Sequence, residues 1–389
     1  MFVRKRIKEL TLFLSILIFF VTFQNFSSAQ FESLTGSAVL TEASTGRILY
    51  EKDANTAKPP ASITKIMTLL LAFEAIEKEQ AHWDDMVPVS EKAWRMEGSR
   101  MFLEVGTRAS YRDIVTGISV VSANDGCVAL AEYLYGSENS FVQIMNRKAQ
   151  ELGMTQTRFS NSTGLPDEDH YMSARDIAVL AGHIIQKYPE LLEFESMREF
   201  TYNNIRQYNR NPLLGSFPGA DGLKTGWTTE AGYCLVGTAM QNGIRMISVV
   251  LNVESEQKRL EASQELLNYG FKNFEFMEAV VPDIVVGELD VEDGKEMSVS
   301  VKVNEGITVL IPMNARHGLT YELKKSAEIL KAPVEAGTPA GLYIVRFNGE
   351  IQASVPVITV EDVERAGFFE RLLRRISLFF KNLFNHDNN

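Results

Sequence analysis

The sequence predicts a mixed α/β domain, then a small all-β domain, then a C-terminal amphipathic helix. Three observations carry this. Residues 31–272 mix helical and strand periodicity; residues 274–360 are rich in Val, Ile and turn formers with few helical patterns; from Phe368 onward apolar and cationic residues separate onto two sides of a helix. The composition permits such a fold: 389 residues, 45% hydrophobic and 23% charged, with 26 Gly and 12 Pro, exclude a collagen-like, low-complexity or wholly disordered chain and suffice for two cores. With only Cys127 and Cys234, a disulfide scaffold and a four-cysteine zinc site are excluded. The two thiols read as free and buried, with a disulfide between them as the alternative that export would permit.

In chain order, the first element is residues 1–29. Arg4, Lys5, Arg6 and Lys8 precede a run from Leu10 to Phe23 that is apolar apart from Thr and Ser, and Ser27-Ser28-Ala29 follows. This is the pattern of a secretory signal peptide cut after Ala29, and the run is shorter than the roughly 20 residues of a spanning helix. Its removal leaves 35 cationic and 49 anionic side chains. So acidic a chain is not a general nucleic-acid binder.

The domain expected over residues 30–273 holds three short motifs. Pro59-Pro60-Ala61-Ser62-Ile63-Thr64-Lys65 opens a helix on which Ile63, Ile66, Met67, Leu70, Phe73 and Ile76 recur at helical spacing. Ser62 falls in the first turn, where backbone N–H groups lack intrahelical partners, and Lys65 shares its face. A serine hydroxyl needs a neighbour that takes its proton; a neutral lysine, buried and near a second cation, can do so. Next, Ser122-Ala123-Asn124 stands in a turn between two helices. Finally, Asp221-Gly222-Leu223-Lys224-Thr225-Gly226-Trp227 precedes strand-like Gly232–Met240, the turn Asn242-Gly243 and Ile244–Val253, which puts Lys224 and Thr225 on an edge-like strand. Gly226 lets another backbone approach there. Each motif alone is weak: a helix cap with a surface lysine, a polar turn, a surface turn.

The β domain is expected over residues 274–360. Met297, Val299, Val301 and Val303 alternate with Ser298, Ser300 and Lys302, and Asn348-Gly349 between Tyr343–Phe347 and Ile351–Val360 reads as a hairpin. In the tail, residues 361–389, eight apolar residues between Phe368 and Phe384 occupy an arc of about 160° on a helical wheel, opposite Arg371, Arg374, Arg375 and Lys381. A cationic, Phe-rich terminal helix suits an anionic membrane surface, here through residues 367–385.

Together and in this order, Ser-x-x-Lys, Ser-x-Asn and Lys-Thr-Gly form the constellation of penicillin-binding proteins and serine β-lactamases. The chain resembles the exported D-alanyl-D-alanine carboxypeptidases, the low-molecular-mass penicillin-binding proteins of bacteria. Ala61–Thr68 (ASITKIMT), Ser122–Leu130 (SANDGCVAL), Asn161–Leu165 (NSTGL), Ser173–Asp176 (SARD) and Asp221–Gly226 (DGLKTG) carry the likeness. It implies a mainly antiparallel sheet flanked by helices and a cofactor-free, metal-free hydrolase at the outer face of the cytoplasmic membrane. The substrate would be the peptidoglycan stem pentapeptide, with β-lactam antibiotics as covalent inhibitors. Ser62 would attack the carbonyl between the two D-alanines, Lys65 would be the base, and Ser122 would relay the proton to the leaving D-alanine. Asn124 would hold Lys65 and the substrate amide. Lys224 and Thr225 would bind the terminal carboxylate, and the N–H groups of Ser62 and Trp227 would form the oxyanion hole. Arg210 and Arg259 match family arginines near this region. Thr163 and Trp227 depart from residues common in the family and are expected outside the proton path; Arg175 and Asp176 are expected to brace the fold.

Other readings fit less well. A class A β-lactamase would add a Glu-x-x-Leu-Asn-like element, which is missing between Asn124 and Lys224. A D,D-endopeptidase is a further serine-hydrolase alternative. His82, His170, His183, His317 and His386 show no H-E-x-x-H spacing, against a zinc carboxypeptidase. A catalytically silent wall-binding scaffold leaves the co-occurrence of Ser62, Lys65, Ser122, Asn124 and Lys224 unexplained.

Overall fold

The structure, a computed structural model, describes residues 35–374 and 376. The signal segment expected at 1–29 and the tail at 375 and beyond 376 lie outside the described residues. The chain divides into two compact units, Met1–Asn268 and Tyr269–Asn389, each with its own hydrophobic core.

The first unit begins with the hairpin β1 (Ser37–Glu42) and β2 (Ile48–Lys52). A 3-10 turn, Ala61–Thr64, then leads into α1 (Lys65–Glu77). β3 (Met86–Pro88), α2 (Glu91–Trp94) and β4 (Arg108–Ser110) precede the helices α3 (Tyr111–Val120), α4 (Asn124–Tyr135), α5 (Glu138–Glu151), α6 (Ala174–Lys187) and α7 (Leu191–Glu195). The short ribbon β5 (Glu199–Tyr202) and β6 (Ile205–Tyr208) is followed by the meander β7 (Ala220–Thr228), β8 (Gly232–Gln241) and β9 (Ile244–Val253), and α8 (Glu256–Asn273) carries the chain into the second unit. The main sheet runs β2-β1-β9-β8-β7, antiparallel throughout, as expected. Pairing β1 with β9 joins the two ends of the unit and leaves β7, with Lys224 and Thr225, at the sheet edge.

Helix α1 is the axis of this unit. The spacing of its apolar residues predicts a buried helix, and Lys65 to Ala75 are all buried. Leu69, Leu71 and Ala72, on the other faces, are apolar too, and a helix apolar all round is stable only inside a core. The 3-10 turn that leads into α1 packs on β7 and β8, and Tyr111 Oη of α3 donates to the Ala72 carbonyl at 2.8 Å. Helices α2, α3, α5 and α6 start at serines 90, 110, 137 and 173, whose hydroxyls accept an orphan backbone N–H. Neither α1 nor α4, which carry Lys65 and Asn124, has a side-chain cap.

In the second unit the strands are β10 (Phe274–Val280), β11 (Val285–Glu292), β12 (Ser298–Val303), β13 (Ile307–Pro312), β14 (Leu319–Lys325), β15 (Ile329–Lys331), β16 (Pro339–Phe347) and β17 (Glu350–Thr359). β10 pairs with β13; the other six form one sheet, β14-β16-β17-β12-β11-β15. Val299, Val301 and Val303 are buried while Ser298, Ser300 and Lys302 between them are half-buried, so the alternation holds within the strand; Met297, read as its first inward residue, lies just before it and is exposed. Asn348 and Gly349 both have positive φ, 48° and 87°, the backbone of a tight hairpin turn whose twist matches its strands.

Replacing Leu70, fully buried in α1, with Ala should cost about 2–5 kcal/mol, read as a lower denaturant midpoint with an unchanged slope.

Candidate active site

Three segments distant in sequence meet at one cleft of about 700 Å³ in the first unit. Of the ten residues singled out above, eight line it: Ser62, Ser122, Asn124, Arg210, Thr225, Gly226, Trp227 and Arg259. Lys65 and Lys224 are buried beside it, 0% and 3% exposed.

Ser62 sits in the 3-10 turn, half-buried, after Ala61, whose φ of 47° lies in the left-handed region that non-glycine residues rarely adopt. Lys65, at the start of the α-helix proper, turns its Nζ to Ser62 Oγ at 2.8 Å. Its second bond, 2.6 Å, goes to the Thr163 carbonyl. Burial pushes the Lys65 ammonium down to about 7, and the positive charges of Lys224 and Arg210 add to the effect. Cys127, the nearest thiol, is itself pushed up to about 12 by burial and carries no charge at neutral pH. A sizeable fraction of Lys65 is therefore an uncharged amine at neutral pH, already bonded to the hydroxyl.

Two expectations are corrected at this point. Asn124 does not bond Lys65; its Nδ2 donates to the Glu97 carbonyl at 2.7 Å and its backbone N–H to the Ser99 carbonyl at 2.8 Å. The loop before α3 comes close enough to claim that amide first. Thr163, expected off the proton path, holds the base through its main chain, a contact that residue identity cannot reveal. The segment presenting that carbonyl is tightly built. Asn161 Oδ1 accepts from Thr163 N, Thr163 Oγ1 and Gly164 N, and Glu138 Oε1 accepts from Ser162 N and Oγ. Gly164 has φ +83°, and a Cβ there would lie 1.9 Å from the Ala61 carbonyl oxygen. Only glycine fits.

Ser122 occupies the turn between α3 and α4 with φ 61°. It lines the cleft, and its buried Oγ has no hydrogen-bond partner. Asp125, in the first turn of α4, accepts from the N–H groups of Met101, Leu103 and Gly126, which ties the cleft's loop to the helix bearing Asn124.

Edge strand β7 forms the third wall. A Cβ on Gly226 would lie 3.0 Å from the Pro60 carbonyl oxygen and 3.2 Å from Ser62 N, so the strand's main chain runs directly against the serine turn. That juxtaposition makes a pair of N–H donors from Ser62 and Trp227 feasible. Thr225 is 8% exposed and Trp227 56%. Arg210 Nη1 donates to Ser99 Oγ at 2.8 Å. Arg259 is buried against the Tyr233 ring and paired with Glu256 at 2.8 Å.

Cys127 and Cys234 are both buried and unbonded. His170 is packed, its Nε2 2.8 Å from Thr64 Oγ1, and burial lowers it to about 4. Asp176 accepts from Gln156 N and Thr157 Oγ1, and Arg175 pairs with Glu51, both bracing the fold. Sequence reasoning missed Ser99, Glu97, Asp125, Glu138 and the Thr163 carbonyl. The last lies within the Asn161–Leu165 segment that carried part of the likeness, and Asp125 within Ser122–Leu130.

Comparison with known proteins agrees with this geometry. Residues 24–255 match the peptidase family described as D-alanyl-D-alanine carboxypeptidase, and residues 274–365 the C-terminal domain of penicillin-binding protein 5. A D-alanyl-D-alanine carboxypeptidase of Bacillus subtilis is 37% identical over 343 residues, 87% of this chain and 88% of its own length. Another, from Escherichia coli, is 36% identical over 353 residues, 89% of this chain and 88% of its own. Penicillin-binding protein 5 of Haemophilus influenzae superposes with a TM-score of 0.74 at 34% identity, covering 86% of this chain and 98% of that one. Penicillin-binding protein D2 of Listeria monocytogenes, solved with ampicillin bound, matches 62% of this chain and 98% of its own at 33% identity and a TM-score of 0.57. Sequence, fold and cleft coincide: the chain belongs to the D-alanyl-D-alanine carboxypeptidase family.

Proposed function

We propose that this protein is a serine-type D,D-carboxypeptidase that removes the terminal D-alanine from peptidoglycan stem pentapeptides in the cell-wall space. The observation that carries the reading is the buried Lys65 amine, bonded to Ser62 Oγ at 2.8 Å and lowered to about 7. Neutral Lys65 takes the Ser62 proton as Oγ attacks the carbonyl between the two D-alanines. Charge building on that oxygen is met by the N–H groups of Ser62 and Trp227; losing such a donor typically costs about 3 kcal/mol. The Ser122 hydroxyl relays the proton, receiving one from the Lys65 ammonium as it gives its own to the departing D-alanine nitrogen, and the C–N bond breaks. Water then hydrolyses the Ser62 ester. Lys224 and Thr225 hold the substrate's terminal carboxylate, with Arg210 and Arg259 along the same cleft, and Asn124 faces the substrate amide. A β-lactam enters the same route, but its leaving nitrogen stays tethered after ring opening, so the ester persists.

Ser62→Ala should abolish D-alanine release and labelling by penicillin in a protein of unchanged circular dichroism; surviving release would remove Ser62 from the nucleophile's role. The acid limb of kcat/KM should have its midpoint near pH 7, because below it Lys65 carries a proton and cannot accept another. Lys65→Arg, permanently charged, should lower kcat/KM by about 10²–10⁴-fold.

We further infer that residues 1–29 direct export and that residues 367–385 lie along an anionic membrane surface. Residues 368–374 are helical. Arg371 pairs with buried Asp293 at 3.5 Å, and Arg374 donates to the carbonyls of Gly294 and Lys295. The helix thus spends two of its arginines on its own unit, so they are not the free headgroup-binding charges expected from the wheel. It turns its apolar side outward: Phe368, Phe369 and Leu373 are 67%, 78% and 67% exposed. Contact with lipid would be led by these three side chains. Deleting residues 367–389 should abolish binding to anionic liposomes, and unchanged binding would end this reading.

A further inference from the structure

Glu195 closes helix α7, which packs on β7 and α3. It is 1% exposed, and neither carboxyl oxygen has a hydrogen-bond partner. Ser119 Oγ of α3, which also has no close partner, is the hydroxyl beside the carboxyl that favours its ionised form. An ionised carboxylate in such a place costs several kcal/mol unless a charge answers it. The Glu195 Cβ lies 3.6 Å from where a Cβ on Gly222 would stand, two residues before Lys224 on β7, and the charge acting on the carboxyl is the Lys224 ammonium, itself buried with only a long 3.4 Å contact to the Thr225 carbonyl. The two form no direct ion pair. Lys224 also faces Arg210, Arg259 and Cys127, and none of these supplies a negative charge at neutral pH: two are cations and the buried thiol is protonated.

We propose that Glu195 is a positioning residue for Lys224: its buried, unpartnered carboxyl, on the helix packed against β7, answers the ammonium that binds the substrate's carboxylate, so that this cation survives into the alkaline range. The inference rests on the reading of Lys224 as the group that holds the substrate's terminal carboxylate. The chemistry is that of a coupled pair in a dry interior. Burial pushes Glu195 up and Lys224 down, so the first proton to leave as pH rises is contested between them. If it leaves Glu195, the new carboxylate stabilises the Lys224 ammonium and pushes its own loss to higher pH. The cleft then keeps its cation where a lone buried lysine would have become neutral. Lys65 is spared the opposite problem, because neutrality is the state it needs.

The experiment is the pH profile of kcat/KM for D-alanine release by the full-length protein and Glu195→Gln. Gln keeps the shape of the protonated acid but cannot ionise. The alkaline limb of the variant should move about one pH unit toward acid, the loss appearing mainly in KM, while the acid limb stays in place. Glu195→Met, which fills the same space without a polar atom, should show the same shift. The infrared spectrum of the wild type at pH 7 should contain a protonated-carboxyl band that disappears on raising the pH while activity persists. Alkaline limbs that superimpose in wild type and variants, or a missing carboxyl band at pH 7, would overturn the proposal. If the wild type releases no D-alanine, or Ser62→Ala still does, the reading of the cleft fails instead, and the two failures are told apart.

Discussion

Desolvation of one amine organises this protein. Lowering Lys65 from 10.5 to about 7 corresponds to about 5 kcal/mol withheld from its charged form. Water returning to that amine would restore its charge and silence the serine. The surrounding architecture keeps water away. Helix α1 is buried from Lys65 to Ala75, the 3-10 turn before it packs against two strands, and the Thr163 carbonyl takes one of the few hydrogen bonds the amine can make. Lys224 adds repulsion from the sheet side. A buried lysine is a liability for stability, and the long apolar helix behind it offsets that cost.

The cleft also depends on backbone that most residues avoid. Ala61 and Ser122 both adopt positive φ, at 47° and 61°, in the two turns that present Ser62 and Ser122. Each such conformation costs on the order of 1–3 kcal/mol and persists only where its surroundings over-determine it. Those surroundings are visible. Gly164 packs its bare Cα against the Ala61 carbonyl, Gly226 lets β7 come up to Ser62 N, and Asp125 gathers three backbone N–H groups beside Ser122.

Much of this was legible in the chain itself. Periodicity marked the β unit and its alternating strand at Val299, Val301 and Val303, because a sheet with one wet face repeats every two residues. It also marked the Asn348-Gly349 hairpin, because few other pairs accept two consecutive positive φ values. Ser62 and Lys65 were readable as a pair because three residues along a helix is a fixed spatial offset, and the sheet-edge position of Lys224 followed from the meander after it. Helical spacing also marked a buried helix after Ser62, and Lys65 to Ala75 are buried.

The sequence by itself determined which side chains are available for chemistry, and local geometry determined the placement of neighbours three or four positions apart. Only the tertiary structure decided that Thr163's main chain rather than Asn124's side chain would steady the base, that Arg371 and Arg374 would turn inward to Asp293 and two carbonyls, and that Glu195 would lie unpaired behind Lys224. The reason is common to all three. Backbone carbonyls are the same in every residue, and the dielectric around a charge is a property of everything packed near it. Neither is written in the letters at that position.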